Sequence, residues 1–506
     1  MEIFLSIVYI LLFILLIYRM KFFECPDLSR KSISLIFGLK IISGLALWLI
    51  YTRYYTDRST ADIFKYFDDS KVMFDSIHSR PLDFLQMLTG IGNNSPGFDA
   101  YYNQMHNWVK VYDSNLYNDS HTIIRFNALL RIFSFGYYQV HSVFLCFLSL
   151  SGLVAIYRCF APYLAGKRIL AIVCIFLFPS VLFWGSGVLK EGILFYGMGM
   201  LIYYWFKVSY EKISVYALAW ITFCLILLLA TKFYILVSLL PGLLYIFWIA
   251  RSSRNNLFLK FCIVIICYGA LGLGVKYFIP AYDPLQILAI KQQDFLSLAR
   301  GGIFLKNDTA EVFLSQDQRA QDLIKTDNPK IWHIRSGASY CYWHDYNADI
   351  DTLFGKQPPV PTDYRMENDV PRSGSLIAVQ TLKPTLTSFV ESLPMAWVNT
   401  LFRPLPTEAR SPLLLPPCLE IIAYTLFFLL CIVYRKKEGV QAEYVLFCLS
   451  FVFILFAITG LTTPVLGALV RYKIPGIPFL MMSFLFLLDE KALIRSFPRL
   501  GKYLTR

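Results

Sequence analysis

Apolar residues recur along most of the chain in runs of roughly 18–22, the length at which a helix crosses the hydrocarbon of a bilayer. About 11 such runs predict membrane-spanning helices, near residues 3–19, 33–52, 137–157, 168–186, 191–207, 213–231, 233–250, 257–279, 416–434, 441–461 and 470–488. None alternates with the period of two that marks a transmembrane β-barrel. The predicted fold is therefore all-α, a polytopic membrane helical bundle with two helical loops outside the hydrocarbon. Residues 1–52 hold the first two crossings, 53–136 the first loop, 137–280 crossings three to eight, 281–415 the second loop, and 416–506 the last three crossings and a tail. Within the loops, helical spacing of apolar residues marks 62–76, 123–135, 285–298 and 375–401. The Pro- and Asp-rich stretch 307–372 shows no regular period.

Composition agrees with this pattern. The chain is 57% apolar and only 16% charged, against about 25% charged in soluble domains. Its net charge of +13 would suggest nucleic acid in a soluble protein. Here basic residues gather in short loops, as they do on the cytoplasmic side of a membrane. Arg19 and Lys21, Arg158 and Lys167, Lys207 and Lys212, Arg251 and Arg254, Arg435 to Lys437, and Lys491 and Arg495 each follow an odd-numbered crossing. That alternation predicts an extracytoplasmic N-terminus, a cytoplasmic C-terminus and both long loops outside. The first apolar run lacks a basic region before it and a small-residue cleavage site, so it reads as a retained helix. Most of the 11 cysteines lie inside apolar runs, where a thiol acts as a small hydrophobe.

Chemistry is expected where charge meets the outer membrane edge. The stretch YYTDRSTADIFKYFDDSKVMFDS, residues 54–76, puts Asp57, Asp62, Asp68, Asp69 and Asp75 just beyond the second crossing. Asp62 at the start of a helix is placed to act as a general base toward an acceptor hydroxyl. Ser59 to Asp62 also reads as a variant capping box. Asp68 and Asp69 read either as solvated helix residues or as a second acid. Lys190 and Glu191 stand at the turn between the fourth and fifth crossings, and Lys232 between the sixth and seventh. Ionisable groups at such depth commonly mark function. Lys190 and Lys232 suit a phosphate, Glu191 the acid site, and a hairpin turn or snorkelling anchor is the plainer reading of each. Arg403 in LFRPLP and Arg471 in VRYKIPGIPFL are candidate phosphate ligands or interfacial anchors. Pro475 and Pro478 break the helix below Arg471, a break tolerated where it lines a cavity. His333 and His344 are too isolated for a metal site. Walker, dinucleotide and nucleophile-elbow motifs are absent.

Asp62 followed by Tyr66, and Arg471-Tyr472 followed by Pro475 and Pro478, resemble motifs of the GT-C superfamily of polyprenyl-phosphate-dependent glycosyltransferases. The nearest resemblance is to bacterial relatives of protein O-mannosyltransferases and of lipid A aminoarabinose transferases. The acidic loop follows the second crossing here rather than the first, and the family's second acid has two candidates, Glu191 and Asp69. The resemblance implies a bacterial inner-membrane enzyme of cell-envelope glycan assembly that transfers a sugar with inversion from a polyprenyl-phosphate donor to a glycan, lipid or protein acceptor. Asp62, Glu191 and Asp69 would be catalytic. Tyr66, Lys190, Lys232, Arg403, Arg471 and Tyr472 would bind substrate. No cofactor is implied and a divalent metal is optional. Two alternatives stand beside it. A polymerase or ligase acting on polyprenyl-diphosphate oligosaccharides would use Arg300, Arg335, Arg365 and Arg372. A lipid-linked sugar transporter would show half-chain symmetry.

Overall fold

The computed structural model describes residues 1–58, 61–108, 117–164, 166–316, 322–328, 331–345, 350–356, 362–409 and 412–499. The chain opens with α1 (Glu2–Arg19) and α2 (Arg30–Arg53). The first outer segment carries α3 (Asp62–Ser79), α4 (Pro81–Thr89), α5 (Asp99–Tyr102) and α6 (Ser120–Ser134). The bundle resumes with α7 (Tyr138–Phe160), α8 (Arg168–Ile172), a π-helical turn (Val173–Leu177) and α9 (Pro179–Trp184). It continues with α10 (Lys190–Tyr210), α11 (Val215–Thr231), α12 (Phe233–Ala250) and α13 (Leu257–Phe278). After α14 (Pro284–Arg300) comes a β-sheet, then α15 (Leu386–Phe402), α16 (Leu415–Val433), α17 (Ala442–Thr462), α18 (Leu466–Lys473), α19 (Ile477–Leu487) and α20 (Glu490–Ser496).

Among the described residues, eight stretches are long and apolar enough to cross a membrane: α1, α2, α7 with the turn after it, α12, α13, α16, α17, and α18 with α19. The protein is a multi-pass membrane protein on this measure. The crossing expected at 168–186 is not one helix. Phe178 is extended (φ −60°, ψ 128°) and separates the π-helical turn from α9, which starts on Pro179. Proline cannot supply the N–H that a continuous helix needs there. The expected crossings at 191–207 and 213–231 correspond to α10, which opens on two charges, and to the shorter α11. Helices α7 and α10 meet backbone to backbone. Gly152 lies against the Phe195 carbonyl, and Gly199 against that of Gly152, so a Cβ at either position has no room. Small residues permit such approach between helices in lipid.

The all-α expectation needs correction. Residues 302–370 contain a seven-stranded antiparallel sheet among the described residues. Its strands are β1 (Gly302–Lys306), β2 (Ala310–Ser315), β3 (Leu323–Lys325), β4 (Ile331–Ile334), β5 (Ser339–Asp345), β6 (Ile350–Lys356) and β7 (Thr362–Val370), in the order β3-β4-β7-β1-β2-β5-β6. The β1–β2 hairpin turns on Asn307, whose Oδ1 accepts from the N–H groups of Thr309 (2.9 Å) and Ala310 (2.7 Å). This Asx turn substitutes side-chain for backbone bonding. Ile303, Leu305, Val312 and Leu314 are buried on one face of the hairpin.

The basic clusters meet at one end of the bundle. Arg158 donates to the carbonyls of Lys21 and Phe22. Lys167 donates to those of Leu485 and Leu488 (2.5 Å each), and Lys436 N–H donates to Leu487 O (2.8 Å). Arg251 donates to Val208 O (2.6 Å), and Arg254 pairs with Glu443 (3.5 Å). Helix α10 runs from Glu191 to this end, a length of about 30 Å at 1.5 Å per residue.

Candidate functional site

At the opposite end, four helix termini converge. Asp62 and Glu191 occupy the first turns of α3 and α10, where the helix dipole favours a negative charge. Arg471 lies in the last turn of α18, where it favours a positive one. Lys232 occupies the break between α11 and α12 (φ −144°, ψ 87°), which turns the chain back and delivers its side chain inward.

Arg471 is the hub. Its Nη1 donates to Asp62 Oδ2 at 2.7 Å. Its Nε and Nη2 donate to the two oxygens of Glu191 at 2.8 and 3.1 Å. Lys232 Nζ donates to Glu191 Oε1 at 2.9 Å. Bidentate guanidinium–carboxylate pairing fixes both distance and plane. The Arg471 guanidinium also lies 5.6 Å from the Trp184 ring. Lys232 lies 4.7 Å from the Tyr472 ring, and Tyr472 packs against Phe295 (6.1 Å). Glu191 is fully buried, whereas the Asp62 side chain keeps 40% of its surface exposed. Glu191 therefore orients Arg471, and Asp62 is the carboxylate open to a ligand.

Helix α3 is held in place from below. Arg131 of α6 donates to Ser70 Oγ (2.9 Å) and Phe67 O (2.5 Å) and lies over the Phe67 ring at 4.1 Å. Arg58 forks onto Asp68 with two bonds of 2.7 Å. The N-cap of α3 is Ala61, which makes no side-chain cap bond. Ser59, the other half of the expected capping box, lies outside the described residues.

Asp62 and Arg471 open into a cavity of about 1140 Å³ that Tyr51, Trp184, Phe295 and Tyr472 also line. Leu177, Pro179 and Pro416 belong both to this cavity and to an apolar groove of about 670 Å³. Cys174, Phe178, Leu419, Phe427 and Met481 line the groove, on elements that include the membrane-spanning α16 and α19. A largely apolar and aromatic chamber, charged at the Asp62–Arg471 pair, thus continues into an apolar slot that Glu420 also lines. Residues 374–377 form a strap over the cavity wall. Leu376 bridges to Val465, and Ser375 O accepts from Leu466 N (3.0 Å), at the start of α18.

Other expected site residues fall elsewhere. Both oxygens of Asp69 accept backbone N–H groups, from His106 and Asn107, at 2.8 Å each. Burial raises its carboxyl while those N–H groups oppose the shift. It braces the outer loop and does not reach the cavity. Lys190 pairs with Asp119 (3.1 Å) and Ser120 Oγ (3.1 Å), with the Tyr66 ring 5.0 Å away. Burial pushes the Tyr66 phenol well above its ordinary value, so it stays a neutral hydroxyl. Neither Lys190 nor Tyr66 lines the cavity. Arg403 is paired with Glu408 (3.2 Å), and Glu408 does line the cavity. Arg300, Arg335, Arg365 and Arg372 are exposed and line none of it.

Several buried polar residues were not singled out from sequence. Lys40 of α2 and Glu420 of α16 interrupt apolar runs, so the rule that drew attention to Lys190 applies equally to them. Glu420 accepts from Ser180 N (3.0 Å) and Ser180 Oγ (2.6 Å) and caps α9. Lys473 donates to Thr400 O (3.0 Å) and Arg403 O (2.9 Å). Among the described residues, His, Cys, Asp and Glu side chains do not gather in threes as a metal site would. No family model, curated protein or solved structure matches the chain.

Proposed function

We propose that the protein is an integral-membrane glycosyltransferase of the GT-C kind. It moves a sugar from a polyprenyl-phosphate donor to an acceptor hydroxyl on the extracytoplasmic face. The observation that carries this reading is a partly exposed carboxylate, Asp62, held by Arg471 as the charged pole of a largely apolar and aromatic cavity that continues into an apolar groove. A lipid-linked sugar needs both compartments, one for its polar head and one for its chain. Aromatic walls such as Trp184 and Tyr51 suit the apolar faces of a sugar ring.

In this mechanism Asp62 takes the proton of the acceptor hydroxyl. The acceptor oxygen forms a bond to the anomeric carbon as the bond from that carbon to the phosphate oxygen breaks. The electron pair leaves with the lipid phosphate. Charge develops on the departing phosphate, and fixed cations near the cavity stabilise it. Glu191 and Lys232 act through Arg471 by fixing its plane. The positive-inside pattern supports an extracytoplasmic site, because the basic clusters occupy the far end of the bundle. The exposed arginines of the sheet segment do not converge on the cavity, which favours transfer over polymerisation.

The test is direct. Purified protein in lipid nanodiscs is incubated with polyprenyl-phosphate-linked sugars and a panel of envelope glycans. Release of free polyprenyl phosphate together with sugar incorporation supports the reading. Donors left intact across the panel contradict it.

A further inference from the structure

Helix α9 is a wall between the two compartments. Ser180, Phe183 and Trp184 line the cavity, Phe178 lines the groove, and Pro179 lines both. The helix is six residues long, and the chain leaves helical geometry on either side of it, at Phe178 (φ −60°, ψ 128°) and at Gly185 (φ −82°, ψ 12°). A helix this short is unstable by itself, so its direction depends on what fastens its ends. Beyond one end, the Ser186 carbonyl accepts from Ser142 Oγ and Cys146 Sγ of α7 (3.2 Å each). Near the other, Ser180 donates its N–H (3.0 Å) and its Oγ–H (2.6 Å) to the two oxygens of Glu420. Together these fastenings fix the tilt of α9 and its rotation. They thereby place Trp184, whose ring lies 5.6 Å from the Arg471 guanidinium.

The Glu420 fastening differs from the other in where it sits. Glu420 belongs to α16 and lines the groove, and the other described residues that line it carry no charge. Water admitted to the groove competes with Ser180 for the carboxylate oxygens. A chain that fills the groove excludes that water, and hydrogen bonds strengthen as the local dielectric falls. Pro416, also of α16, lines both compartments and marks the rim. Glu420 lies four residues further along the helix, a distance of about 6 Å. A chain must therefore pass the rim by about one helical turn before it dries the contact between Glu420 and Ser180.

We propose that Glu420 is a positioning residue that makes the Asp62–Arg471 site depend on the chain of the carrier lipid, through its grip on Ser180 of α9. The inference rests on the lipid-linked donor of the proposed function and adds the class of carrier, a prenyl chain long enough to cover Glu420. A long chain dries the contact, tightens α9 and sets Trp184 beside Arg471, where the sugar ring stacks. A chain that ends at the rim leaves Glu420 wet and α9 loose. The same sugar on a short carrier is then a poor donor even when it is bound. Glu420 touches neither sugar nor phosphate in this scheme and acts through α9.

The experiment uses the full-length protein in nanodiscs and compares wild type, Glu420→Ala and Glu420→Gln. Backbone hydrogen exchange of α9 is first followed by mass spectrometry with undecaprenol or with prenol, its single-unit counterpart. Undecaprenol should slow exchange several-fold in wild type, and prenol should not. Glu420→Ala should abolish the effect, and Glu420→Gln, which keeps an oxygen for Ser180, should retain part of it. Single-turnover transfer is then measured with one sugar on undecaprenyl phosphate and on prenyl phosphate, each at saturation. The long donor should react about tenfold faster or more in wild type, the scale of a misplaced reactant. Glu420→Ala should slow the long donor to the rate of the short one while its KM stays near that of wild type, and Glu420→Gln should restore part of the rate. Exchange that ignores undecaprenol in wild type, or protection or a chain-length advantage that survives Glu420→Ala, overturns the assignment. If Glu420→Ala unfolds, Ser180→Ala takes its place. It removes the 2.6 Å bond and leaves the N–H, so both effects should shrink, and unchanged effects overturn the assignment in the same way. Wild-type protein that transfers sugar from both donors at one rate loses only the present inference. Wild-type protein that transfers sugar from neither loses the proposed function and this inference with it.

Discussion

Arg471 Nη1 lies 2.7 Å from Asp62 Oδ2, joining the first turn of α3 to the last turn of α18 across 409 residues of sequence. The remaining nitrogens of the same guanidinium are committed to Glu191. Arg471 therefore fixes where Asp62 sits. Arg471→Lys keeps the charge but cannot fork onto Glu191 while reaching Asp62. We expect that variant to fold and to transfer sugar at least about 10²-fold more slowly, the scale of a misplaced general base. Arg471→Ala removes one partner of a buried pair and should cost about 3–5 kcal/mol of stability. Melting curves beside rate measurements separate the two effects.

Glu191 and Lys232 form one unit with Arg471, so their substitutions should not add. Glu191→Gln and Lys232→Met should each destabilise the protein, since each leaves a buried charge short of its partner. The double variant should lose less than the sum, with a coupling of about 0.5–3 kcal/mol. Unfolding in detergent measures the cycle. Additive losses would mean that Lys232 does not support Glu191.

Asp69 gives a contrasting case. Its carboxylate holds two backbone N–H groups of the outer loop and does not line the cavity into which Asp62 opens. Asp69→Ala should cost about 1–3 kcal/mol for the N–H groups left unsatisfied, and it should expose residues near His106 to proteolysis. The rate of transfer by the folded fraction should stay near that of wild type. Abolished transfer with an intact loop would return Asp69 to the catalytic machinery.

A pH effect is expected at the basic end of the bundle. Burial lowers Lys167 from its usual 10.5 to about 8, with repulsion from Lys436 adding to the shift. A lysine with a lowered folded pKa binds fewer protons folded than unfolded between those values. Its contribution therefore turns favourable as pH rises from about 8 to 10.5, and it is least favourable below that window. Melting temperature should show an upward component over this range that Lys167→Met removes. The same upward component in that variant would assign it to another group.

Much of this arrangement was legible in the sequence because charges that interrupt apolar runs are rare and costly. Glu191 and Lys232 stood out for that reason, Asp62 as a carboxylate at a helix start just beyond the second crossing, and Arg471 by the prolines that follow it, and the four meet. Lys190 stood out equally, yet it is paired with Asp119, a partner chosen by tertiary packing that no local pattern reveals. Lys40, Glu420 and Lys473 obeyed the same rule and were passed over. The sheet was hidden differently. Its strands run from three to nine residues, and the Pro- and Asp-rich composition of the segment masked the period of two that β7 carries at Tyr364, Met366 and Val370. The Asx turn at Asn307 was its clearest local sign. The break at Phe178 was masked because an apolar run reads alike whether its helix is continuous or interrupted.

The most direct test of the central claim is sugar transfer by Asp62→Asn under single-turnover conditions, with a polyprenyl-phosphate-linked donor and saturating acceptor. Asparagine keeps an oxygen for Arg471 and cannot take the acceptor proton. The account predicts a folded protein with an unchanged melting temperature, normal donor binding, and a transfer rate reduced by about 10²–10⁴-fold. A folded Asp62→Asn protein that transfers at the wild-type rate would contradict it.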